Sequence, residues 1–349
     1  MNKNTLIFNI LIFLFSITLY LPSTSKAQIA PVTPINFEKA VTLFQTANYI
    51  AAENIISELL ETVGETEPLR FDLEYYRLMC LVKQNKPLAE SAITSYLDTE
   101  RGNPRQNQLW YELAKMQFIN KRFPLAVRTF SKVQPKLLSK TDNDDFAFYN
   151  GYSNFEAGNL KQASQAFFEI RKSNSNYAAS ATYYWGYINY LEGNYKTALD
   201  EFSKLKNNKN FSGFINYYTI QIYYLQERYD DVIEMGPGMV SSAPQEQKNE
   251  LLKIVGDSYY QTGKFINAIQ YLEAYQGVNG RKMPEDFFRL GYCYYKANDY
   301  EKAVLAFEKA SVGKDALAQN AFYHLADCHL QTNDKNKARV AFEQASKFS

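Results

Sequence analysis

The sequence predicts an all-α fold, a right-handed α-solenoid of about nine helix-turn-helix units. One observation is local: residues 287–310, FFRLGYCYYKANDYEKAVLAFEKA, place apolar residues at helical spacing on both sides of a short polar turn. The other observation is that this pattern recurs with a period of about 35 residues, which indicates a stack of similar helix pairs.

The N-terminal residues are typical of a secretory signal peptide. Lys3 precedes an apolar segment at about 6–21, and the small residues Ser25 and Ala27 follow it. This order of charge, apolar segment and small residues predicts cleavage after Ala27, so that residues 1–27 are a signal peptide.

A membrane anchor is the alternative for this segment. The apolar stretch is short, Asn9 interrupts it, and no charged stop-transfer flank follows. We therefore expect no membrane span after cleavage, and an exported protein of the periplasm or outer membrane whose repeat array occupies residues 28–349.

The charge of the expected mature chain is nearly balanced. The full sequence has 38 Lys and Arg and 37 Asp and Glu, and the two charges in residues 1–27 are both lysines, which leaves 36 basic against 37 acidic side chains. Charges of both signs are interspersed, so there is no electrostatic argument for nucleic acid or for an anionic membrane surface as a partner.

Two series of small residues define the predicted units, which start near residues 33, 70, 107, 144, 179, 213, 249, 284 and 319. The series in the first helices, called the small position, is Ala40, Arg77, Ala114, Gly151, Gly186, Ile220, Gly256, Gly291 and Ala326. The series in the second helices is Ala52, Ala89, Ala126, Ala163, Ala198, Val232, Ala268, Ala303 and Ala338. Because helices approach closely only where the crossing side chains are small, we expect the two series to meet within each pair.

This pattern resembles the tetratricopeptide repeat, whose signature is a large residue, then Leu-Gly, then Tyr, and later Ala and Phe. Phe287, Leu290 with Gly291, Tyr294, Ala303 and Phe307 occupy these places in one unit. The resemblance covers about residues 33–349, and its weak members are the second and sixth units, where Arg77 and Ile220 fill the small position. It implies a stack of helix pairs, and the chain looks similar to exported repeat proteins of the Bacteroidota envelope.

The C-terminal end of the array predicts a truncated chain. Its last residues, AFEQASKFS, complete the second helix of the ninth unit without the polar capping helix that such arrays use. The alternative is that the uncovered face docks a partner or another copy of the chain.

Catalytic and metal-binding motifs are scarce, which predicts a protein that is not an enzyme and has no cofactor or metal. There is no Walker loop and no helical HExxH motif, and Gly-Pro-Gly at 236–238 is interpreted as a turn. His324 and Cys328 are four residues apart and could share a metal ion, but core packing explains both. We expect Cys80, Cys293 and Cys328 to be free, buried thiols.

The resemblance implies a concave groove, lined by the first helices, that holds a segment of a partner. We call the place of the large residue that opens the signature, such as Phe287, the large position. In the family, residues just after the large position and just after the small position point into this groove. The former here include Tyr111, Phe148, Tyr183, Tyr217, Phe288 and Tyr323. The latter include Tyr152, Tyr187 and Tyr292.

We assign all nine aromatic residues to a predicted partner-binding face. Those after the large position are common in the repeat pattern and are open to a purely structural explanation. Tyr152, Tyr187 and Tyr292 are the strongest candidates, because family members more often carry a polar residue there. Tyrosine offers apolar area with a polar tip at low entropic cost.

The sequence thus predicts a non-enzymatic scaffold of the bacterial cell envelope that binds a protein or peptide in an aromatic groove. One alternative is a glycan-binding module, because tyrosines stack on sugars. Another is the helical portion of an enzyme whose catalytic domain lies beyond residue 349. The identity of the partner and the oligomeric state do not follow from the sequence.

Overall fold

The computed structural model describes residues 32–99 and 105–347, so the predicted signal peptide lies outside the described residues. Within these ranges the chain forms eighteen α-helices and no β-strand, which confirms the all-α solenoid fold class. Among the described residues, none of the helices combines the length and the apolar character that a bilayer crossing requires.

The described residues divide into two compact bodies, an N-terminal body that ends at Met116 and a C-terminal body that begins at Gln117. The N-terminal body contains α1 (Val32–Gln45), α2 (Tyr49–Thr62), α3 (Pro68–Lys83), α4 (Ala89–Thr99) and most of α5 (Gln106–Ile119). The C-terminal body contains α6 (Phe123–Phe130), α7 (Lys140–Glu156), α8 (Leu160–Ile170), α9 (Ala178–Leu191), α10 (Tyr195–Lys204), α11 (Ser212–Leu225), α12 (Tyr229–Ser242), α13 (Gln245–Gln261), α14 (Phe265–Gly277), α15 (Pro284–Lys296), α16 (Tyr300–Ala310), α17 (Ala316–Gln331) and α18 (Lys335–Ala345).

Helices of the C-terminal body pack in chain order, from α6 to α18. The odd-numbered helices, which are the first helices of the pairs, also contact each other: α9 with α11, α11 with α13, α13 with α15, and α15 with α17. We call the surface that these helices and α7 share the first-helix face.

A residue with a positive φ, in the left-handed backbone conformation, joins the two helices of each pair. Across the described residues these are Ala47, Asn85, Lys121, Gly158, Gly193, Glu227, Gly263, Asn298 and Asn333. At Gly158 the next N–H, of Asn159, donates to the carbonyl oxygen of Asn154 at 2.8 Å, which closes the end of α7. Glycine and asparagine suit this conformation, because other side chains are strained there.

These turns correct the register of the second unit. The left-handed residue follows the small position by seven residues in every unit except the second, where Asn85 lies eight residues after Arg77. The equivalent residue is therefore Leu78, which is buried and packs with Ala89, whereas Arg77 is partly exposed. The assignment of Arg77 to the small position was wrong.

The small residues of both series are buried, but they meet different partners than expected. A Cβ added to the small-position glycines would lie 2.7–3.2 Å from a large side chain of the following second helix. These glycine contacts are Gly151 with Phe167, Gly186 with Phe202, Gly256 with Leu272, and Gly291 with Phe307. The large residue stands four places after the second-helix alanine. The glycine thus makes room for a Phe or Leu side chain rather than for the alanine alone.

The sixth unit reverses this arrangement of large and small residues. Ile220 fills the small position of α11, and Gly236 stands where the second helices of other pairs carry Phe, Leu or Ile. A Cβ on Gly236 would lie 3.3 Å from Cδ1 of Ile220 and 2.4 Å from Cγ2 of Val255. The isoleucine therefore occupies the space that the glycine leaves.

The prediction that Gly-Pro-Gly at 236–238 forms a turn was wrong. All three residues lie inside α12, with Pro237 in the helix interior. Proline there removes one backbone hydrogen bond, but Gly236 lets α12 approach its neighbours closely. Packing of the reversed pair outweighs the helix-breaking tendency of these residues.

Candidate functional site

Aromatic rings from three successive first helices form a continuous cluster on the first-helix face, which we call the aromatic ladder (Phe148, Tyr152, Tyr183, Tyr184, Tyr187, Phe214, Tyr217 and Tyr218). Tyr152 of α7 lies 5.1 Å from Tyr184 of α9, and Tyr187 of α9 lies 4.8 Å from Tyr218 of α11, as distances between ring centroids. Contacts in this range are favourable for aromatic pairs, so the rings help hold neighbouring helix pairs together.

Tyr152 illustrates the surroundings of a ladder residue. Its ring lies 5.7 Å from Phe118, 6.2 Å from Phe148 and 5.1 Å from Tyr184. These partners belong to the preceding helix pair, its own helix and the following helix pair. Tyr152 is only partly exposed, and burial raises the pKa of its hydroxyl above the ordinary range.

A regular contact connects each helix pair of the C-terminal body with the next. The residue four places after one small position touches the residue one place after the next small position, and we call these contacts junction pairs. Three are ring contacts: Phe118–Tyr152 at 5.7 Å, Phe155–Tyr187 at 5.9 Å and Tyr260–Tyr292 at 5.9 Å. Three are hydrogen bonds from tyrosine hydroxyls: Tyr190 to Gln221 Oε1 at 2.7 Å, Tyr224 to Asp257 Oδ2 at 3.0 Å and Tyr295 to Asp327 Oδ2 at 2.5 Å.

The junction pairs change the interpretation of Tyr152, Tyr187 and Tyr292. The sequence singled them out because the repeat pattern does not explain them, yet each packs against an aromatic residue of the preceding pair. They are therefore structural residues as well as partly exposed ones, and their contact with a partner stays a prediction. The sequence does contain the junction pairs, but they are recognised only when residues of successive units, such as Phe118 and Tyr152, are compared.

The structure buries Tyr111 completely, so its assignment to a binding face was wrong. In α5, the side chain after the large position is buried instead of exposed. The Lys115 ammonium lies 5.6 Å from the centre of the Tyr111 ring. At the other extreme, Tyr323 is 56 % exposed and its ring lies 5.7 Å from that of Phe342.

Each of the remaining predicted residues has a close neighbour on the first-helix face. Phe148 lies beside Tyr152, and Tyr183 stacks parallel to Tyr187 with 6.2 Å between centroids. Phe288 stacks on Tyr292 at 6.3 Å, and Tyr217 donates a hydrogen bond to Glu250. The structure brings the members of each pair together, but it separates the group in α15 from the aromatic ladder.

Phe214 was missed by the sequence prediction. It lies at the start of α11, is 51 % exposed, and its ring is 6.1 Å from Tyr183. No repeating position marks it, because it stands two residues before the large position of its unit. Its exposure makes it the ladder residue most available to a partner.

A buried charged cluster separates the two aromatic groups. Asp257 and Asp286 are almost fully buried; the Lys253 ammonium lies 2.7 Å from Asp286, and the Arg289 guanidinium lies 3.4 Å from Asp257 and 3.6 Å from Asp286. Burial raises the pKa of Asp257, which the guanidinium only partly offsets. For Asp286 burial acts in the same direction, but the bonds from Lys253 and from the Met283 N–H prevail and lower its pKa. The cluster is internally neutralised, which favours a structural role.

His324 and the cysteines have the surroundings of packed core residues. The His324 ring stacks on Phe307 at 5.4 Å, and burial lowers its pKa. Burial also raises the pKa of each of the three thiols to about 12, and the cysteines are free, as expected. Over the described ranges, no group of three or more His, Cys, Asp or Glu side chains is placed to hold a metal ion.

Comparison with known proteins identifies two repeats directly. Residues 284–311 and 319–349 each match a family model described as tetratricopeptide repeat. No curated protein matches the chain.

Among solved structures, a tetratricopeptide repeat protein from Parabacteroides merdae is 16 % identical, with a TM-score of 0.43 over 76 % of this chain and 99 % of that one. The C-terminal part of a TPR repeat-containing protein from Cytophaga hutchinsonii is 16 % identical, with a TM-score of 0.41 over 88 % and 99 % of the two chains. At these TM-scores the two structures support no argument about function. The matches show that residues 284–311 and 319–349 are tetratricopeptide repeats, and the helix pairs with buried small residues in the rest of the described chain support the same family for the array.

Proposed function

We propose that this protein is a non-enzymatic scaffold that binds a segment of a partner protein on the aromatic ladder. Tetratricopeptide repeats generally mediate protein–protein interaction. The observation that carries the proposal is that rings of α7, α9 and α11 form one continuous, partly exposed surface with Phe214 at its edge. Rigid aromatic side chains lose little conformational freedom on binding and are typical of interface hot spots.

Hydrogen bonding within the face favours a protein segment over a glycan. On the ladder, the Tyr217 hydroxyl donates to Glu250. Beside the ladder, the hydroxyls of Tyr190 and Tyr177 donate to Gln221 and to Asp145, at 2.7 and 2.9 Å. Hydroxyls held in this way position the rings but are less available for new hydrogen bonds. A partner would therefore make mainly apolar contacts with the ring faces, as an apolar protein segment does, whereas a sugar also needs polar groups around its hydroxyls.

We also propose that the protein acts outside the cytoplasm, in the periplasm or at the outer membrane. The support for this is the signal-like sequence at residues 1–27. Expression of the full chain in a Gram-negative host, followed by cell fractionation and N-terminal sequencing, tests it. A mature protein that begins at Gln28 in the periplasmic fraction agrees with the proposal, and an uncleaved cytoplasmic protein contradicts it.

The binding face is tested by photo-crosslinking in the native cell. A photoreactive amino acid replaces Phe214 on the ladder or, as a matched control, Ile266, which is 77 % exposed but lies on the second helix α14. We expect one reproducible protein adduct at position 214 and none at position 266.

The adduct then provides the partner for a binding measurement. Phe214→Ser should weaken its binding by roughly tenfold, since a fully desolvated ring contact is worth 1 to 2 kcal/mol at an interface. Ile266→Ser should leave binding unchanged. Equal crosslinking from both positions, or an unchanged dissociation constant for Phe214→Ser, would exclude the ladder as the binding face, and a carbohydrate adduct would favour the glycan alternative.

A further inference from the structure

A second concave site lies between α10, α11 and α12, outside the aromatic ladder. It is a cleft of about 630 Å³. Beneath its floor lie Phe202 and Ile215, each 2 % exposed. The apolar side chains at its surface are those of Leu199, Tyr223 and Met235, which are partly exposed. A volume of this size is within the range of ligand-binding pockets in proteins.

The sixth unit lacks a large side chain at its large position, as do the fourth and fifth units, which have Ala147 and Thr182 there. Later units carry Leu252, Phe287 and Phe322 there, whereas the sixth unit has Asn216, which is exposed at the rim of the cleft. Within the C-terminal body, α10 also packs against α11 more sparsely than the other second helices pack against the helix that follows them. The cleft therefore opens where these two helices pack loosely.

The rim of the cleft is acidic. Asp200 and Glu234 are exposed, and their side-chain carboxylates have no hydrogen-bond or ion-pair partner in the described part of the chain, whereas the Asp231 carboxylate pairs with Arg228 at 2.8 Å. Lys206 is the single basic residue that lines the cleft. The lining therefore carries an excess of negative charge next to an apolar floor.

The cleft and the ladder lie on opposite sides of α11. Tyr217, Tyr218 and Gln221 face the first-helix side, while Ile215 and Thr219 line the cleft. At about 100° per residue, these two sets are roughly half a turn apart. A partner in the cleft would leave the ladder free.

We propose that the cleft between α10, α11 and α12 binds an extended segment of a partner protein that carries a Lys or Arg side chain next to an apolar one. The apolar side chain packs against Leu199 and Met235. The cationic group lies between the carboxylates of Asp200 and Glu234. Charge complementarity is the reason for proposing a basic side chain, since unpaired carboxylates attract a cationic group. The apolar lining alone would not distinguish among partners.

The openness of the rim indicates a segment of a protein rather than a small cation. Sites for small molecules enclose most of the ligand surface. Here Asp200, Asn216 and Glu234 are all exposed, so an occupant buries only one side and continues along the surface. The stem of a Lys or Arg side chain would also cover apolar area that a free cation cannot cover.

The test uses the full chain and immobilised short peptides with a central Lys or Arg flanked by Leu or Phe. The reference peptides have Gln at the centre and are otherwise identical. We expect binding of the basic peptides, weakened by salt, and a loss of roughly tenfold or more in the D200N/E234Q double variant. Both side chains are exposed, so the double variant should keep its fold, which circular dichroism checks.

Two variants serve as controls. E301Q/E308Q makes the same change of charge on exposed positions of α16 and should bind normally. Phe214→Ser, which should weaken binding on the aromatic ladder, should also bind the basic peptides normally, so failure of one proposal is distinguishable from failure of the other. Equal binding of Gln-centred peptides, unchanged binding by D200N/E234Q, no binding of any peptide, or complete displacement by free spermidine with equal affinity would each overturn the proposal.

Discussion

Replacement of Gly236 by alanine is predicted to destabilise the C-terminal body, although alanine is the better helix former. The new Cβ would lie 2.4 Å from Cγ2 of Val255, about 1 Å closer than ordinary contacts allow, so α12 or α13 must shift. Overpacking of this kind typically costs about 1–3 kcal/mol, and the residue before a proline is further disfavoured in a helix. Alanine recovers about 1 kcal/mol of helix propensity, so the expected loss is roughly 1–2 kcal/mol.

Urea unfolding followed by circular dichroism measures this loss. The matched control is Gly238→Ala in the same helix, where an added Cβ meets nothing within 4 Å; it should stabilise by up to about 1 kcal/mol. In the Gly236→Ala background, Val255→Ala should recover part of the loss, with a coupling of about 0.5–2 kcal/mol. If Gly236→Ala and Gly238→Ala are equally stable, the reversed packing of the sixth unit does not exist as described.

Three further predictions concern the core. Ala303→Leu, at a fully buried helix crossing, should destabilise by about 1–3 kcal/mol in the same urea assay, and a neutral result would contradict the register of the repeats. Because burial lowers the pKa of His324, the unfolded chain takes up its proton first, so stability should fall as pH drops below about 6.5; His324→Phe should remove this part of the pH dependence, and an identical pH profile would refute it. Native protein should not react with a thiol reagent at neutral pH, whereas urea-unfolded protein should expose three thiols; rapid native labelling would disprove their burial. The thiols concerned are Cys80, Cys293 and Cys328.

Periodicity predicted most of the fold, because burial within a helix pair depends on spacing along one chain segment. The alanines of the second helices are buried as the spacing requires. The errors occurred where the spacing was kept but the side-chain sizes were exchanged. Gly236 and Pro237 suggested a turn because local propensity cannot register that Ile220 occupies the space across the pair. Arg77 was misplaced because one turn differs by a single residue.

The candidate site was less predictable, since its residues are defined by contacts between units. Tyr152 departs from the family pattern, yet Phe118 of the preceding pair explains it by packing. The burial of Tyr111 and the exposure of Phe214 depend on how neighbouring helices are placed, which no single repeat encodes. A list of aromatic positions therefore identifies the face without separating packing residues from accessible ones.

The junction pairs have a consequence for how such an array can gain or lose repeats. A unit whose junction residue is tyrosine can precede either kind of neighbour, because its ring can stack and its hydroxyl can donate. A phenylalanine has no donor: deletion of residues 179–212 would place Phe155 against Gln221, whose amide oxygen accepts from Tyr190 in the intact chain. Duplication and deletion of whole units are thus constrained by the order of junction residues, and in this chain the sequence of repeats is itself part of what specifies the fold.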